Sequence, residues 1–341
     1  MRAVVLEKRG KDGVIVTERP DPVRAAGHAL VKMHAASLNR VDVYMRDVGL
    51  GITHSLPLIM GVDGVGEIAE VGPGSPLQVG QRVILYPYLF CGRCEHCLAG
   101  DQPLCVTGKV LGEHQDGTFA ERISVPEVCL LPLPDHVDDL EAATLGVAYL
   151  TAWRMVFGKG KASAGKSLLV VGAGGGVAAA AIQLARLAGC RVIATSSSAD
   201  KLEKARQAGA DETIDYTAEN TAKAVLALTD GAGVDIVIDN VGEATWEHSL
   251  RAVKRGGRIV TCGATTGAQP SADLQRLFIR QISVHGSTMG DLGEFARMVT
   301  AFAQGRFKPV VHATFKLSDA LQALACLEDP ERFGKVVLEI S

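Results

Sequence analysis

The stretch from Ser167 to Ala210, SLLVVGAGGGVAAAAIQLARLAGCRVIATSSSADKLEKARQAGA, constrains the fold of this chain more than any other. Leu168 to Val171 is short and apolar on both faces, as a central strand of a parallel sheet must be when both faces are covered. Gly172, Gly174, Gly175 and Gly176 then let the backbone turn sharply and approach a bulky anion with no Cβ in the way. From Val177 onward Ile182, Leu184, Ala185 and Ala188 recur at helical spacing, so the first N–H groups of that helix, Val177 included, point back at the glycines. Such a helix start is a site for a pyrophosphate. Arg191 to Thr195 supplies a second strand and closes a βαβ unit. A glycine run alone reads equally as a flexible loop, but between a strand and a helix it reads as a dinucleotide site.

At 341 residues the chain is long enough for two domains with separate cores. Its formal net charge of −3 comes with no basic stripe or acidic tail, which argues against nucleic acid or a membrane surface as partner. A small-molecule substrate is the expectation. The opening MRAVVLEKRGKDG has too short an apolar run for a secretory signal, and no segment reaches the ~18 consecutive apolar residues of a membrane span. A cytoplasmic protein is expected, and its 8 cysteines then read as thiols or metal ligands before disulfides.

The first third alternates short β-type runs with Pro- and Gly-marked turns: Ala3 to Leu6, Val14 to Val16, Ala29 to Ala35, Val65 to Val71, Val83 to Tyr86 and Ala120 to Val125. That spacing predicts a partly closed β-barrel. Leu140 to Phe157 then reads as helical and as the bridge to the next domain. Beyond the opening βαβ unit, strand and helix alternate through Ile282 to His285, which predicts an α/β fold with a doubly wound parallel sheet. The last part, with helices at Leu292 to Gln304 and Ser318 to Leu327 and a strand at Val336 to Ile340, is expected to return to the first domain.

Cys91, Cys94, Cys97 and Cys105 place four thiolates on one short loop. Four soft ligands satisfy a tetrahedral Zn²⁺ and leave no position open for water or substrate, so the metal expected here is structural. Four unligated thiols in an exposed lobe are the alternative, and they would be an oxidation hazard.

This lobe, together with Gly61-Val-Asp63-Gly64-Val-Gly66, the glycine turn and the closing Phe333-Gly334-Lys335-Val-Val, resembles the medium-chain dehydrogenase/reductase superfamily over almost the whole chain. The resemblance implies a GroES-like β-barrel catalytic domain (1–149 and 288–341, with the zinc lobe at 91–105) and a Rossmann doubly wound domain (150–287). It also implies hydride transfer in the cleft between them. Zinc-dependent members carry a Cys where this chain has Asn39, three residues before Asp42. They carry Gly-His-Glu where it has Gly61-Val62-Asp63, and their third ligand falls near Val147. An amide and two isopropyl groups cannot replace a thiolate and an imidazole, so a catalytic zinc is not expected.

The segment Asn39-Arg-Val-Asp42-Val-Tyr44-Met-Arg46 is instead similar to that of quinone oxidoreductases and zinc-independent enoyl reductases. Those enzymes pass hydride from a reduced nicotinamide to a quinone or an α,β-unsaturated carbonyl. On that resemblance the Asn39 amide and the Tyr44 phenol are candidate donors to the developing oxyanion, Tyr44 or a water is the candidate proton source, and Asp42 stands behind them. A structural reading stands beside this one, with Asn39 capping a turn, Asp42 holding an arginine and Tyr44 lining the pocket.

The position where an NAD site places a carboxylate, at the end of the second strand, holds Thr195-Ser196-Ser197-Ser198. The hydroxyls of Ser196 and Ser197 can donate to a 2′-phosphate and Lys201 can neutralise it, so NADP(H) is the expected nucleotide. Tyr216 matches a tyrosine that covers the adenine side in NADP-dependent quinone reductases. The family pattern adds Thr151 near the nicotinamide amide, and Asn240, Gly263, Ser287 and Lys335 along ribose, nicotinamide and phosphates. Leu50, Ile52, His54, Tyr86, Tyr88, Phe90 and Phe278 are the expected pocket wall, suited to an apolar or aromatic substrate.

The leading expectation is an NADPH-dependent reductase of quinones or enones with one structural zinc per chain, assembled as a homodimer or homotetramer. An alcohol dehydrogenase or aldehyde/ketone reductase is the alternative within the enzymes. A non-catalytic NADPH-binding redox sensor is the alternative outside them.

Overall fold

The computed structural model describes residues 1–49 and 55–340, and Leu50, Ile52 and His54 of the expected pocket wall lie outside them. The chain divides into two units, Met1–Leu150 with Met289–Ser341, and Thr151–Thr288. Among the described residues no helix is long and apolar enough to cross a membrane.

The first unit begins β1 (Arg2–Leu6), β2 (Val14–Glu18), β3 (His28–Leu38), α1 (Arg40–Asp47), β4 (Leu58–Ile59), β5 (Asp63–Glu70) and β6 (Arg82–Leu85). It continues through β7 (Tyr88–Leu89), α2 (Glu95–Leu98), β8 (Lys109–Val110), β9 (Arg122–Pro126), β10 (Leu130–Pro132) and α3 (Asp139–Ala142). Where one or two helices were expected, α4 (Leu150–Trp153) sits between two wider π-helical segments, Leu145–Tyr149 and Arg154–Lys159.

In the second unit strands and helices alternate: β11 (Ser167–Val170), α5 (Gly176–Leu187), β12 (Arg191–Ser196), α6 (Ala199–Ala208), β13 (Glu212–Asp215) and α7 (Thr221–Leu228). Then come β14 (Val234–Asp239), α8 (Glu243–Ala252), β15 (Val253–Thr261), α9 (Leu274–Arg280) and β16 (Ser283–Gly286). The chain rejoins the first unit with α10 (Leu292–Ala303), β17 (Val311–Lys316), α11 (Ala320–Glu328) and β18 (Lys335–Glu339).

The long strand β3 organises the first unit, in a seven-stranded sheet of order β10-β6-β5-β3-β18-β17 with β9 also on β3. It pairs antiparallel with β5 on one side, Ser37 opposite Asp63, and with β18 on the other, Ser37 opposite Val337. The end of β3 is therefore flanked by the first residues of two strands far away in sequence. A separate three-stranded sheet, β2-β1-β4, buries Ala3, Val5 and Ile59 with Ala120.

The second unit is a parallel sheet of order β13-β12-β11-β14-β15-β16. Strand order reverses between β11 and β14, and the carboxyl ends at such a reversal form the crevice where open α/β sheets bind ligands. Leu169, Ile193, Val237 and Ile259 from four of its strands, with Val225 of α7 and Leu250 of α8, close its core.

Candidate functional site

At the reversal in the second unit the glycine turn is held from both sides. Gly172 has φ +74°, a region that costs any other residue steric strain, and a Cβ there would meet Val241 Cγ2 at 3.1 Å. Its N–H donates to Thr195 Oγ1 (3.1 Å) and that of Ala173 to Thr195 O (2.8 Å), so β12 fixes the turn against β11. Gly175 is the N-cap of α5 and no side chain caps that helix, which leaves its first turn facing the turn's concave side.

Asn240, Gly263 and Ser287 follow the carboxyl ends of β14, β15 and β16, at the same edge of the sheet. Thr151 is buried. Gly263 passes so close to Asn240 that a Cβ would lie 2.9 Å from the Asn240 carbonyl oxygen. Asp239, fully buried, shapes the turn that presents Asn240 by accepting from Val241 N (2.9 Å), Gly242 N (3.1 Å) and Ser249 Oγ (2.6 Å). Ser287 donates its N–H to Thr261 O (2.8 Å), while its buried hydroxyl has no hydrogen-bond partner among the described residues. A buried hydroxyl without a partner is costly unless a ligand completes it, so this set of groups fits a dinucleotide.

At the end of β12, Ser196 is buried and its carbonyl accepts from Tyr216 N (3.2 Å), whereas Ser197 is exposed. Lys201, in the first turn of α6, is buried, and the Tyr216 ring is about half exposed. These positions contain no carboxylate, so the chain end that would hold a ribose diol by an acid offers hydroxyls and an amine.

The first unit builds a different kind of site. Asn39 is the N-cap of α1, with extended dihedrals (φ −129°, ψ 157°), and Asp42 returns a hydrogen bond from three residues on, accepting from Asn39 N at 2.6 Å. The Asn39 amide nitrogen donates to Ser37 O (3.2 Å) and to Asp63 Oδ1 (3.1 Å), and its oxygen accepts from Lys335 Nζ. Asp63 accepts in addition from Ser37 Oγ (2.8 Å) and from Val147 N (3.2 Å). Gly146 allows that last approach, since a Cβ there would stand 2.5 Å from Asp63 Cβ. Lys335 Nζ completes the cluster with a bond to Leu38 O at 2.6 Å.

Asn39, Asp42, Asp63 and Lys335 are all buried, so burial dominates their proton affinities. Desolvation pushes the Asp42 carboxyl up to about 8, against the pull of the Asn39 N–H. Burial also raises Asp63, with Lys335 and the hydrogen bonds from Ser37 and Asn39 opposing it. Lys335 is brought down to about 8 by desolvation, with Asp63 and Asp42 holding it from falling further. Two buried acids pushed up and one buried ammonium pulled down are thus held together, each opposing the cost of burying the other.

This geometry changes three expectations. Both amide hydrogens of Asn39 are engaged inside the protein, so Asn39 orders the cluster and has no N–H left for a substrate oxygen. Asp42 holds the Asn39 backbone and no arginine; the guanidinium of neighbouring Arg46 goes to Asp47 (2.7 Å) and to Glu328 of α11 (2.9 and 3.1 Å). Lys335, expected along the nucleotide, has its ammonium turned inward to Leu38 and Asn39 because β18 lies beside β3. Tyr44, by contrast, is 40% exposed on α1, which leaves its ring accessible.

Several expected wall residues are also placed elsewhere. Tyr86 is wholly buried, donates to Gly290 O (2.7 Å) and packs on Phe295 at 5.5 Å, as a core residue. Tyr88 donates to Pro103 O (3.2 Å), Phe90 lies edge-on to Tyr86, and Phe278 is exposed on α9 of the other unit.

In the lobe the four sulfurs of Cys91, Cys94, Cys97 and Cys105 all lie within 4.8 Å of one another. Sulfurs ~2.3 Å from one tetrahedral ion stand about 3.8 Å apart, and Cys91 and Cys97 are 3.9 Å apart. The backbone N–H groups of Cys94 and Cys91 point at Cys91 Sγ and Cys105 Sγ (3.3 Å each), as around thiolates that share a cation. The residues present fit a structural zinc, and among the described residues this is the one grouping of His, Cys, Asp or Glu able to hold a metal.

A phosphate-binding turn at the switch of a doubly wound sheet, in one chain with a β-unit bearing a four-thiol lobe, defines a dinucleotide-dependent oxidoreductase of the two-domain type. Residues 25–135 match the family model described as the alcohol dehydrogenase GroES-like domain, and residues 176–304 match that of the zinc-binding dehydrogenases. A solved structure of an NAD-dependent alcohol dehydrogenase is 40% identical, with a TM-score of 0.96 over 100% of both chains. The NAD-dependent alcohol dehydrogenase of Sulfurisphaera tokodaii is 30% identical over 99% of both proteins. The acryloyl-coenzyme A reductase of Metallosphaera sedula is 29% identical, again over 99% of both. The chain belongs to the medium-chain dehydrogenase/reductase superfamily, as an oxidoreductase of its alcohol dehydrogenase-like part.

Proposed function

We propose that this protein is an NADPH-dependent reductase of a C=C bond conjugated to a carbonyl, or of a quinone, working without a catalytic zinc. The observation that carries this reading is the Asn39–Asp63–Lys335 cluster. Where zinc-dependent relatives place metal ligands, the chain has an amide, Val62 and Val147, and the buried cation there is an ammonium tied to Asn39 and Leu38. In the zinc-dependent members a Lewis acid stabilises the alkoxide from which the hydride leaves. Hydride addition to an electron-poor alkene or quinone spreads charge over a conjugated oxygen, for which hydrogen-bond donors suffice. The acryloyl-coenzyme A reductases among the relatives are named for such a reaction.

The nucleotide, when bound, supplies the hydride. The α5 N-terminus and glycine turn hold its diphosphate, Thr151, Asn240, Gly263 and the Ser287 hydroxyl hold the ribose and nicotinamide end, and Ser197 with Lys201 receives a 2′-phosphate beside Tyr216. In the first unit Tyr44 presents its ring to the substrate, while Asn39, Asp42 and Lys335 hold the N-terminus of α1 in place. The lobe cysteines hold one zinc ion away from the chemistry. A second copy of the chain is the expected partner, pairing along β16, which forms an edge of its sheet and leaves Val284 exposed.

The test is oxidation of NADPH and NADH with acryloyl-coenzyme A, cyclohexenone, benzoquinone and acetaldehyde, alongside a zinc count per chain. Turnover of the first three with one zinc supports the reading. Turnover of acetaldehyde alone, or a second zinc, overturns it in favour of the alcohol dehydrogenase activity for which several relatives are named.

A further inference from the structure

The turns that follow β14 and β15 are tied to each other at the carboxyl edge of the second unit's sheet, and one exposed side chain makes the tie. α8 begins at Gly242, which has φ +92° and offers no side chain to cap the helix. Its first N–H groups are met from the turn after β15: Glu243 N donates to Gly267 O (3.1 Å) and Ala244 N to Thr266 Oγ1 (3.1 Å). Thr266 sends both of its own donors to one atom, its N–H and its hydroxyl each donating to Val241 O at 2.9 Å. A Cβ on Gly242 would stand 2.6 Å from Gly267 O, so the two turns also meet through backbone.

Val241 is thereby gripped at both ends. Its carbonyl is held by Thr266, and its N–H donates to the buried Asp239, which also accepts from Gly242 N, Ser249 Oγ and Thr245 Oγ1 (2.9 and 3.0 Å). Val241 Cγ2 stands 3.1 Å from where a Gly172 Cβ would be, and Asn240 Nδ2 stands 4.0 Å from the corresponding place at Gly175. Gly263 backs on the Asn240 carbonyl from the other side. Residues 240–242 therefore bridge the glycine turn and the β15 turn, and all of these residues belong to the second unit. Asp239 fixes the base of the bridge from the core, and Thr266 fixes its outer edge from the surface.

We propose that Thr266 is a positioning residue for the nicotinamide half of the nucleotide, acting through Val241 and Asn240. The proposal rests on the placement of the nicotinamide end at Asn240, Gly263 and Ser287 given above. Thr266 acts at one remove from the ligand. Its hydroxyl accepts from the first turn of α8 and donates to the carbonyl just before it, so Asn240 is already set against Gly263 when the nucleotide arrives. Ordering that would otherwise be lost on binding is thus in place beforehand. On the same placement the adenosine half lies along β12 and α6, on the other side of β11 from this tie. Loosening the tie therefore acts on one half of the nucleotide.

Thr266→Val keeps the branched shape and removes the hydroxyl, and because the residue is exposed the core is left intact. The measurement is Kd for the reduced nucleotide that the wild type binds more tightly, set against Kd for its adenosine half, 2′,5′-ADP for NADPH or ADP for NADH. Thr266→Val is expected to weaken the whole nucleotide about tenfold and the adenosine half by less than about twofold. The emission of the bound reduced nicotinamide should move toward that of the free nucleotide. Thr266→Ser keeps the hydroxyl and should return both readings to within about twofold of wild type. Equal weakening of nucleotide and adenosine half, unchanged affinity for both, or a serine variant that behaves as the valine variant does would overturn the proposal. A wild type that binds neither NADPH nor NADH strikes the dinucleotide reading itself, a different result from a wild type that binds and a Val variant that binds equally well.

Discussion

The candidate sites of the two units are made of different materials. In the second unit the candidate site is backbone: a glycine with positive φ, an uncapped helix start and the carboxyl ends of parallel strands. In the first unit it is a cluster of side chains whose ionisation is set by burial, Asp42, Asp63 and Lys335. Backbone sites are local, because adjacent residues make them. Charged clusters are tertiary, because Asn39, Asp63 and Lys335 meet only when β5 and β18 pair on either side of β3.

The largest effect that separates the two regions is metal removal. Cys97→Ser takes one thiolate from a site that binds zinc with an apparent ~10–16 kcal/mol in small zinc domains. Zinc content measured by mass spectrometry should drop from one per chain to near zero, with Tm falling by ten degrees or more on the order expected for loss of a structural metal. Nucleotide affinity, a property of backbone in the other unit, should stay within about threefold. An unchanged Tm with zinc absent would show that the four thiols do not hold a structural metal.

Next in size is Lys335→Met, which leaves Asp63 and the Asn39 oxygen without their buried cation. Breaking a buried pair from one side costs about 3–5 kcal/mol, read by denaturant unfolding. The double variant Lys335→Met with Asp63→Asn should recover part of that loss. A tenfold loss of nucleotide affinity at unchanged stability would instead place the ammonium at the phosphates, as the family pattern suggested.

That pattern shows what the sequence could and could not disclose. The glycine turn, the parallel alternation and the four-cysteine loop were legible because spacing along the chain fixes them. The strands β4, β7 and β8 were not, since two residues carry no periodicity. Asn39 was found by its position in a motif, but its role depends on Lys335, 296 positions away in the chain.

A smaller effect separates the members of the acid–lysine cluster by pH. The folded Asp42 carboxyl, at about 8, binds its proton far above the ~4 of the unfolded chain, so its contribution is full at low pH and lost as pH rises toward 8. Lys335, brought down to about 8, acts in the opposite sense: stability grows as pH rises from there toward its unfolded value near ~10.4. A stability minimum near pH 8 follows. Asp42→Asn retains an acceptor for the Asn39 N–H and should abolish the fall between about pH 5 and 8, a change of a few kcal/mol at most. Parallel Tm curves for wild type and variant across that range would exclude a buried neutral acid.

The smallest effect sharpens the backbone side, where the proposed binding rests on the main chain and the proposed choice of nucleotide on side chains. Ser197 is exposed at the end of β12 and Lys201 stands in the first turn of α6, while Ser196 is buried and gives its carbonyl to Tyr216. Replacing Lys201 with Ala should weaken NADPH about tenfold, near 1.4 kcal/mol for one charge-assisted contact, and leave NADH within about twofold. Ser197→Asp goes further in the same direction, because a carboxylate repels a 2′-phosphate and accepts from a ribose 2′-OH. Fluorescence titration of both nucleotides reads the ratio directly. If the wild type already prefers NADH and Lys201→Ala changes neither affinity, then the hydroxyls of this strand end serve the ribose diol without an acid, and the phosphate assignment fails while the glycine turn stands.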